Sequence, residues 1–201
     1  MEDIIVASRN KKKISELQSI LRGFGMRAVA RDDAGIPEFE IKEDGDTFEE
    51  NSYKKAKAIL DFSGKITIAD DSGLCVDALD GLPGVHSARY AGSSASDSDN
   101  NRKLLYELKD VSADKRGAEF ISVITMLFPD GREIVARGEC RGMIDFEEHG
   151  DGGFGYDPLF IPIGYSESFA ELAPDEKNKI SHRGRALCEL AERLREIMKD
   201  E

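Results

Sequence analysis

The chain has no tryptophan, only three cysteines, and no apolar run longer than the stretch at residues 123–128, itself interrupted by Thr125. A membrane-spanning helix needs roughly 18 consecutive apolar residues, so none is expected. The N-terminus lacks the basic-then-apolar pattern of a secretory leader, and a cytoplasmic location is the expectation. Cys75, Cys140 and Cys188 are odd in number, widely spaced and without a CxxC pair. They encode neither a disulfide framework nor a zinc knuckle and are expected as small core residues. Positive charge is also in deficit: 28 Lys and Arg against 40 Asp and Glu leave a net charge of −12. That balance argues against sequence-blind binding to nucleic acid or an anionic membrane, since both need a basic face. What is present is 40% hydrophobic content in 201 residues, enough for a real core, with no repeat, low-complexity tract or linker. One compact domain over 1–201 is expected.

The order of elements predicts an α/β fold. Ile4-Ile5-Val6-Ala7 is short and β-branched, as a buried strand should be, and leads through SRNKKK into Ile14, Leu17, Ile20 and Leu21 at helical spacing. Thr47 and Glu50 have the spacing of a capping box, with Tyr53, Ala56 and Leu60 on one face of a helix over 47–62. Ile66-Thr67-Ile68-Ala69 reads as a second buried strand ending in Asp70-Asp71-Ser72-Gly73. This would set two carboxylates at the carboxyl edge of a sheet, where open α/β sheets bind ligands. A helix over 97–108 follows, then strands at 120–128 and 133–144 joined by Pro129-Asp130-Gly131, a turn in which Pro presets φ and Gly accepts φ > 0. Leu187, Leu190, Ala191, Leu194, Ile197 and Met198 form the apolar stripe of a C-terminal helix.

Four groupings suggest chemistry. Arg9, Lys11, Lys12 and Lys13 lie without an acid at a strand-to-helix junction, where free amides and the positive helix end favour phosphate. The segment is no P-loop, since GxxxxGK(S/T) is absent. Seven acids between Glu38 and Glu50, with Asp70 and Asp71, supply hard oxygen ligands of the kind Mg²⁺ takes beside substrate phosphates. Gly150, Gly152 and Gly155 satisfy GxGxxG, but Pro158 and Pro162 preclude the helix that a dinucleotide fingerprint requires. A turned loop presenting Phe154 and Asp157, an aromatic for stacking and an acid for hydrogen bonding, suits a heterocyclic base. Lys177, Lys179, His182, Arg183 and Arg185 crowd the expected start of the last helix, with Ser181 as N-cap; cations there oppose the macrodipole, which points to function. His86 and His149 lie in turn contexts without metal-ligand spacing, and Ser72 lacks the GxSxG elbow.

Taken together, SRNKKK, EDGDTFEENSYKKAKA, IADDSGLCVDALDGLPGVHSARYAG, GGFGYDPLFIP and EKNKISHRGRAL closely resemble the inosine/xanthosine triphosphate pyrophosphatase family, in the family's order and over nearly the whole chain. The resemblance implies a central twisted mixed sheet with flanking helices, two lobes around a nucleotide-binding cleft, and a homodimer. It implies Mg²⁺-dependent hydrolysis of noncanonical purine nucleoside triphosphates (ITP, dITP, XTP) to the monophosphate and pyrophosphate. Ser8, Asn10 and Lys13 match the family's phosphate loop, with Arg9, Lys11 and Lys12 inside it, and Lys55 matches a second phosphate lysine. Asp71 matches the general base and metal ligand, with Ser72 contacting substrate. Phe154, Gly155, Tyr156 and Asp157 match the base-binding loop, and Lys177, His182 and Arg183 the remaining nucleotide contacts. Arg9 departs from the Gly or Asn frequent in the family. Glu43 is favoured as the second metal carboxylate over Glu38, and Asp70 is expected to support Asp71.

On this reading Asp71, alone or through Mg²⁺, orients and deprotonates a water that attacks the α-phosphorus, while donors from Lys177, His182 or Arg183 read the 6-keto oxygen of the base. Guanine shares that oxygen, so its exclusion must involve the 2-position. The alternatives are a non-catalytic purine-nucleotide sensor, which would not need Asp71 or Mg²⁺, an oxidoreductase built on Gly150, Gly152 and Gly155, and a nucleotidase releasing single phosphates.

Overall fold

The computed structural model describes residues 1–199, with Lys12 as backbone only. In chain order the elements are β1 (Glu2–Val6), α1 (Lys11–Leu21), β2 (Met26–Ala30), α2 (Phe48–Ser63), β3 (Thr67–Val76), α3 (Asp97–Glu107), β4 (Gly117–Leu127), β5 (Glu133–Ile144), β6 (Phe160–Pro162), α4 (Pro174–Ile180) and α5 (His182–Ile197). The six strands form one mixed sheet in the order β2-β1-β3-β4-β5-β6. β1 runs parallel to β2, with Ile4 opposite Ala28, and parallel to β3, with Val6 opposite Ile68. β5 and β6 pair antiparallel, with Met143 opposite Ile161. The α/β class and mixed sheet agree with the sequence reading.

The described residues divide into two compact units: 1–71, 122–138 and those from 185 on, and 72–121 with 139–184. In the first, Ile4, Val6 and Ile68 from the parallel strands pack with Leu17 and Leu21 of α1 and with Leu187, Leu190 and Leu194 of α5. The i, i+3, i+7 spacing on α5 places those three side chains on one face, which is why the stripe is buried. In the second unit the core is aromatic, with Phe120, Phe160 and Phe169 in mutual ring contact beside Leu74, Val76, Leu104 and Leu108.

Several elements differ from expectation. β3 does not stop before the acid pair but continues through it to Val76. The continuation is held by buried Leu74 and Val76, and the Leu74 amide donates to Ser87 Oγ at 2.9 Å. Asp70 and Asp71 therefore sit inside a strand, where alternation sends them to opposite faces. β2 and β6 were not foreseen, nor was α4, so Lys177 and Lys179 occupy the last turn of a separate helix rather than the first turn of α5. Cations suit that end of a helix, which removes the dipole conflict for these two lysines, while His182, Arg183 and Arg185 remain at the start of α5. Ser181 does cap α5, accepting the Gly184 amide at 3.1 Å. Of the cysteines only Cys140 is buried; Cys75 is half-buried and Cys188 exposed, because the α5 stripe leaves position 188 on the helix's outer face.

Candidate active site

In the first unit the β1-to-α1 loop turns on its own side chains. Ser8 Oγ accepts the Asn10 amide at 3.1 Å, and Asn10 Oδ1 caps α1 by accepting the Lys13 amide at 3.3 Å. Arg9 swings away from the loop to bind Asp32 and Glu38, at 3.1 and 2.8 Å. Its bulk is thereby carried outward, and Glu38, the alternative metal carboxylate, is engaged by it. Lys11 is exposed, and the Lys12 side chain lies outside the described residues. Lys13 reaches Asp70 Oδ2 at 2.6 Å. Asp70 is thus paired with Lys13, and it acts on Asp71, which points to the other side of β3, through its charge.

Lys55 projects from the second turn of α2 and holds two carboxylates at once, Asp71 Oδ1 at 2.6 Å and Glu43 Oε2 at 3.2 Å. The segment bearing Glu43 is pinned to α2 two residues later. The Gly45 amide donates to Asn51 Oδ1 at 2.9 Å, Asn51 Nδ2 returns a bond to the Gly45 carbonyl, and Glu50 accepts the Asp46 amide at 2.7 Å. A side chain at position 45 would meet Asn51 and Glu50 at 2.8 Å, so only glycine allows this approach. Asp71 is 8% exposed, and its second oxygen, Oδ2, is buried without a hydrogen-bond partner. Burial raises its pKa, an effect Lys55 opposes and Glu43 and Asp70 reinforce. Burial lowers the Lys55 pKa, but Asp71 and Glu43 outweigh it, and the net direction is up. Among the described residues no group of three or more His, Cys, Asp or Glu is arranged around one metal position. A lone carboxylate pair with an uncommitted buried oxygen nonetheless fits Mg²⁺, which takes one or two protein carboxylates and completes its shell from phosphate and water.

In the second unit the glycine-rich loop is tied down by its neighbours. Gly150 and Gly152 press on the Ala170 backbone and Gly153 on the Asp157 carboxylate, so these glycines serve close packing. Asp157 is 2% exposed; its Oδ2 accepts the Phe154 amide at 2.8 Å and Lys177 Nζ at 2.5 Å. Phe154 is 45% exposed, with Lys177 Nζ 5.3 Å and the Arg183 guanidinium 5.4 Å from its ring centroid. Tyr156 turns inward and donates from Oη to the Ser87 carbonyl at 2.8 Å. His182 is buried with its ring stacked on Phe120 at 4.7 Å. Ser72, half-buried, follows Asp71 in β3. The arrangement is one outward aromatic face with two cations beside it, backed by inward-turned Tyr156, Asp157 and His182.

The Ham1 family matches residues 4–193. This chain belongs to it. A dITP/XTP pyrophosphatase of Clostridium perfringens is 49% identical over 99% of this chain and 100% of its own length. One of Geobacter sulfurreducens is 47% identical over 96% and 97%. Among solved structures, a Ham1 protein of Staphylococcus aureus superposes with a TM-score of 0.90 at 39% identity, covering 96% of this chain and 98% of that one. A Mycobacterium abscessus structure titled nucleoside-triphosphatase and dITP/XTP pyrophosphatase gives 0.80 at 44%, covering 94% and 98%. Within this Ham1 chain the supporting residues Asn51 and Ser87 escaped the sequence reading. Asn51 carries no charge pattern and Ser87 sits in a turn, so only their partners reveal them.

Proposed function

We propose that this Ham1 chain hydrolyses noncanonical purine nucleoside triphosphates, ITP, dITP and XTP, to the monophosphate and pyrophosphate with Mg²⁺. The names of its relatives make it a hydrolase acting on phosphoric anhydrides. The observation that carries the reading is Asp71: a buried carboxylate with one oxygen on Lys55 and the other uncommitted.

Asp71 and Glu43 would hold the metal, which when bound offsets the charge of the triphosphate and of the departing pyrophosphate. Lys13 and Lys55, now balanced by Asp70, Asp71 and Glu43, exchange those partners for phosphate oxygens. The positive end of α1 adds to the attraction for phosphate. Asp71 Oδ2 accepts a proton from water as the water oxygen bonds to the α-phosphorus, and the α–β anhydride bond breaks with its electrons on pyrophosphate. Phe154 stacks on the base, and Lys177 and Arg183 donate to its 6-keto oxygen; adenine's amino group would leave those donors unpaired. His182 and Tyr156 contribute by packing behind them. Resemblance supports a homodimer working on the cytoplasmic nucleotide pool, and among the described residues no helix is long and apolar enough to cross a membrane.

The test is incubation with ITP, dITP, XTP, GTP and ATP and separation of products. Monophosphate with pyrophosphate, strongest for the inosine and xanthosine substrates, is expected. Orthophosphate release would move the attack to the terminal phosphorus, and binding without turnover would leave a sensor.

A further inference from the structure

The loop at 150–157 has an attachment that none of the roles above explains. The Gly155 amide donates to Asp97 Oδ2 at 2.7 Å. Asp97 is the first residue of α3, and that helix does not need it for capping. Ser96 accepts the Asp99 amide, and Asp99 accepts the Ser96 amide at 3.0 Å, so the box is closed without Asp97. Beyond adding negative charge to the first turn of α3, its carboxylate is directed to the loop, from a helix end whose backbone is fixed by its own cap. A hydrogen bond to a charged acceptor is about twice as strong as a neutral one, so this contact can order an exposed turn.

The register of the bond matters. The amide it holds belongs to the peptide between Phe154 and Gly155, and Gly155 has φ of +61°, which lets the chain turn there. The preceding amide, that of Phe154, is held by Asp157, and Tyr156 is held by Ser87, whose Oγ in turn accepts from Leu74 and donates to the Gly84 carbonyl at 2.6 Å. Three successive residues are therefore fixed from three directions. Asp157 and Tyr156 fix the buried side, and Asp97 restrains the exposed peptide that carries the Phe154 ring.

We propose that Asp97 is a positioning residue for base recognition: it sets the orientation of the 154–155 peptide, and through it the plane on which the purine stacks. This rests on the reading of Phe154 as the base platform.

The experiment compares Asp97→Ala with Asp97→Asn, which retains an oxygen acceptor at the same place, and with Phe154→Ala. KM and kcat are measured for ITP and GTP, together with inhibition by tripolyphosphate, which has no base. The expected result for Asp97→Ala is a KM for ITP raised about tenfold with kcat within about twofold, the scale of one charge-assisted hydrogen bond. A reduced preference for ITP over GTP and unaltered tripolyphosphate inhibition are expected alongside, and Asp97→Asn, a neutral acceptor, restores part of the loss. Wild-type KM and selectivity in Asp97→Ala would overturn the proposal. So would an equal loss towards ITP, GTP and tripolyphosphate, which marks general loosening of the unit. If Phe154→Ala leaves the ITP KM unchanged, the base platform itself is misassigned and the Asp97 role falls with it; if it raises KM while Asp97→Ala does not, Asp97 alone is wrong.

Discussion

At the scale of single residues, the site is built from opposed charges that hold one another. Lys55 is shared by Asp71 and Glu43, whereas Glu38 is exposed and engaged by Arg9. This distinguishes two carboxylates that sequence spacing left as alternatives. Glu43→Gln is expected to raise the Mg²⁺ concentration needed for half-maximal activity, and Glu38→Gln to leave it near the wild-type value; a magnesium titration of ITP turnover reads both, and the reverse order would exchange their roles. Asp71→Asn keeps shape and the contact to Lys55 but removes the proton acceptor. Turnover should fall by about a hundredfold or more, the ordinary contribution of general-base catalysis. Circular dichroism should report an intact fold, since the buried oxygen lost has no partner to forfeit. Near-normal turnover in this variant would remove Asp71 from the mechanism.

At the scale of elements, α2 carries Lys55 and anchors the segment that carries Glu43, so its first turn couples stability to the site. Thr47 Oγ1 accepts the Glu50 amide at 3.1 Å, and the Glu50 carboxylate accepts the amide of Asp46 rather than that of Thr47, one residue earlier than a standard capping box. Thr47→Ala should cost about 1 kcal/mol. For a chain of this size that lowers the melting midpoint by about 2–4 °C, measurable by calorimetry. The helix was readable from its cap, but its expected face was only partly right: Ala56 is buried, whereas Tyr53 is exposed and Ile59 takes the core position. The β4–β5 hairpin was readable too, since Pro129-Asp130-Gly131 closes with the Gly131 amide on the Phe128 carbonyl at 3.1 Å. β2 was not, because it lies at the sheet edge and its residues after Met26 are exposed or half-buried, which leaves no alternation to detect. β3 was cut short because two adjacent acids read as a strand end; Lys13 and Lys55, distant in sequence, are what let them stay inside. The base loop showed its aromatic and acid, but not that Tyr156 and Asp157 turn inward, since direction depends on Ser87 and Lys177 in three dimensions.

At the scale of the whole molecule, 40 acids against 28 bases make stability depend on how the carboxylates titrate. Asp3, Asp44, Asp99 and Asp130 are held below the ordinary 3.8, and Glu38 below 4.5. The leading causes are side-chain hydrogen bonds from Arg27 to Asp3, Lys54 to Asp44, Ser96 to Asp99 and Arg9 to Glu38, and the Arg132 amide on Asp130. A carboxylate whose pKa is depressed on folding stabilises the native state above its unfolded pKa and loses that contribution as pH falls through the folded value. The loss therefore begins near pH 4.5 for Glu38 and near 3.8 for the aspartates, and continues below. Asp71 has the opposite sign: its raised pKa penalises folding once the group is ionised, and the penalty is relieved as the pH falls towards 3.8. Five depressed groups oppose one raised group, but the five are exposed or half-buried at the surface and each contributes little. Protonation also relieves the repulsion of a net −12 chain. Urea unfolding at stepped pH should accordingly show a nearly flat stability from 7 to 5 and a decline setting in only below about 4.5. In Asp99→Asn the decline should be shallower and the pH 7 stability lower, because the carboxylate that closes the α3 cap is absent at every pH; a variant curve parallel to wild type would show that Asp99 does not titrate with folding.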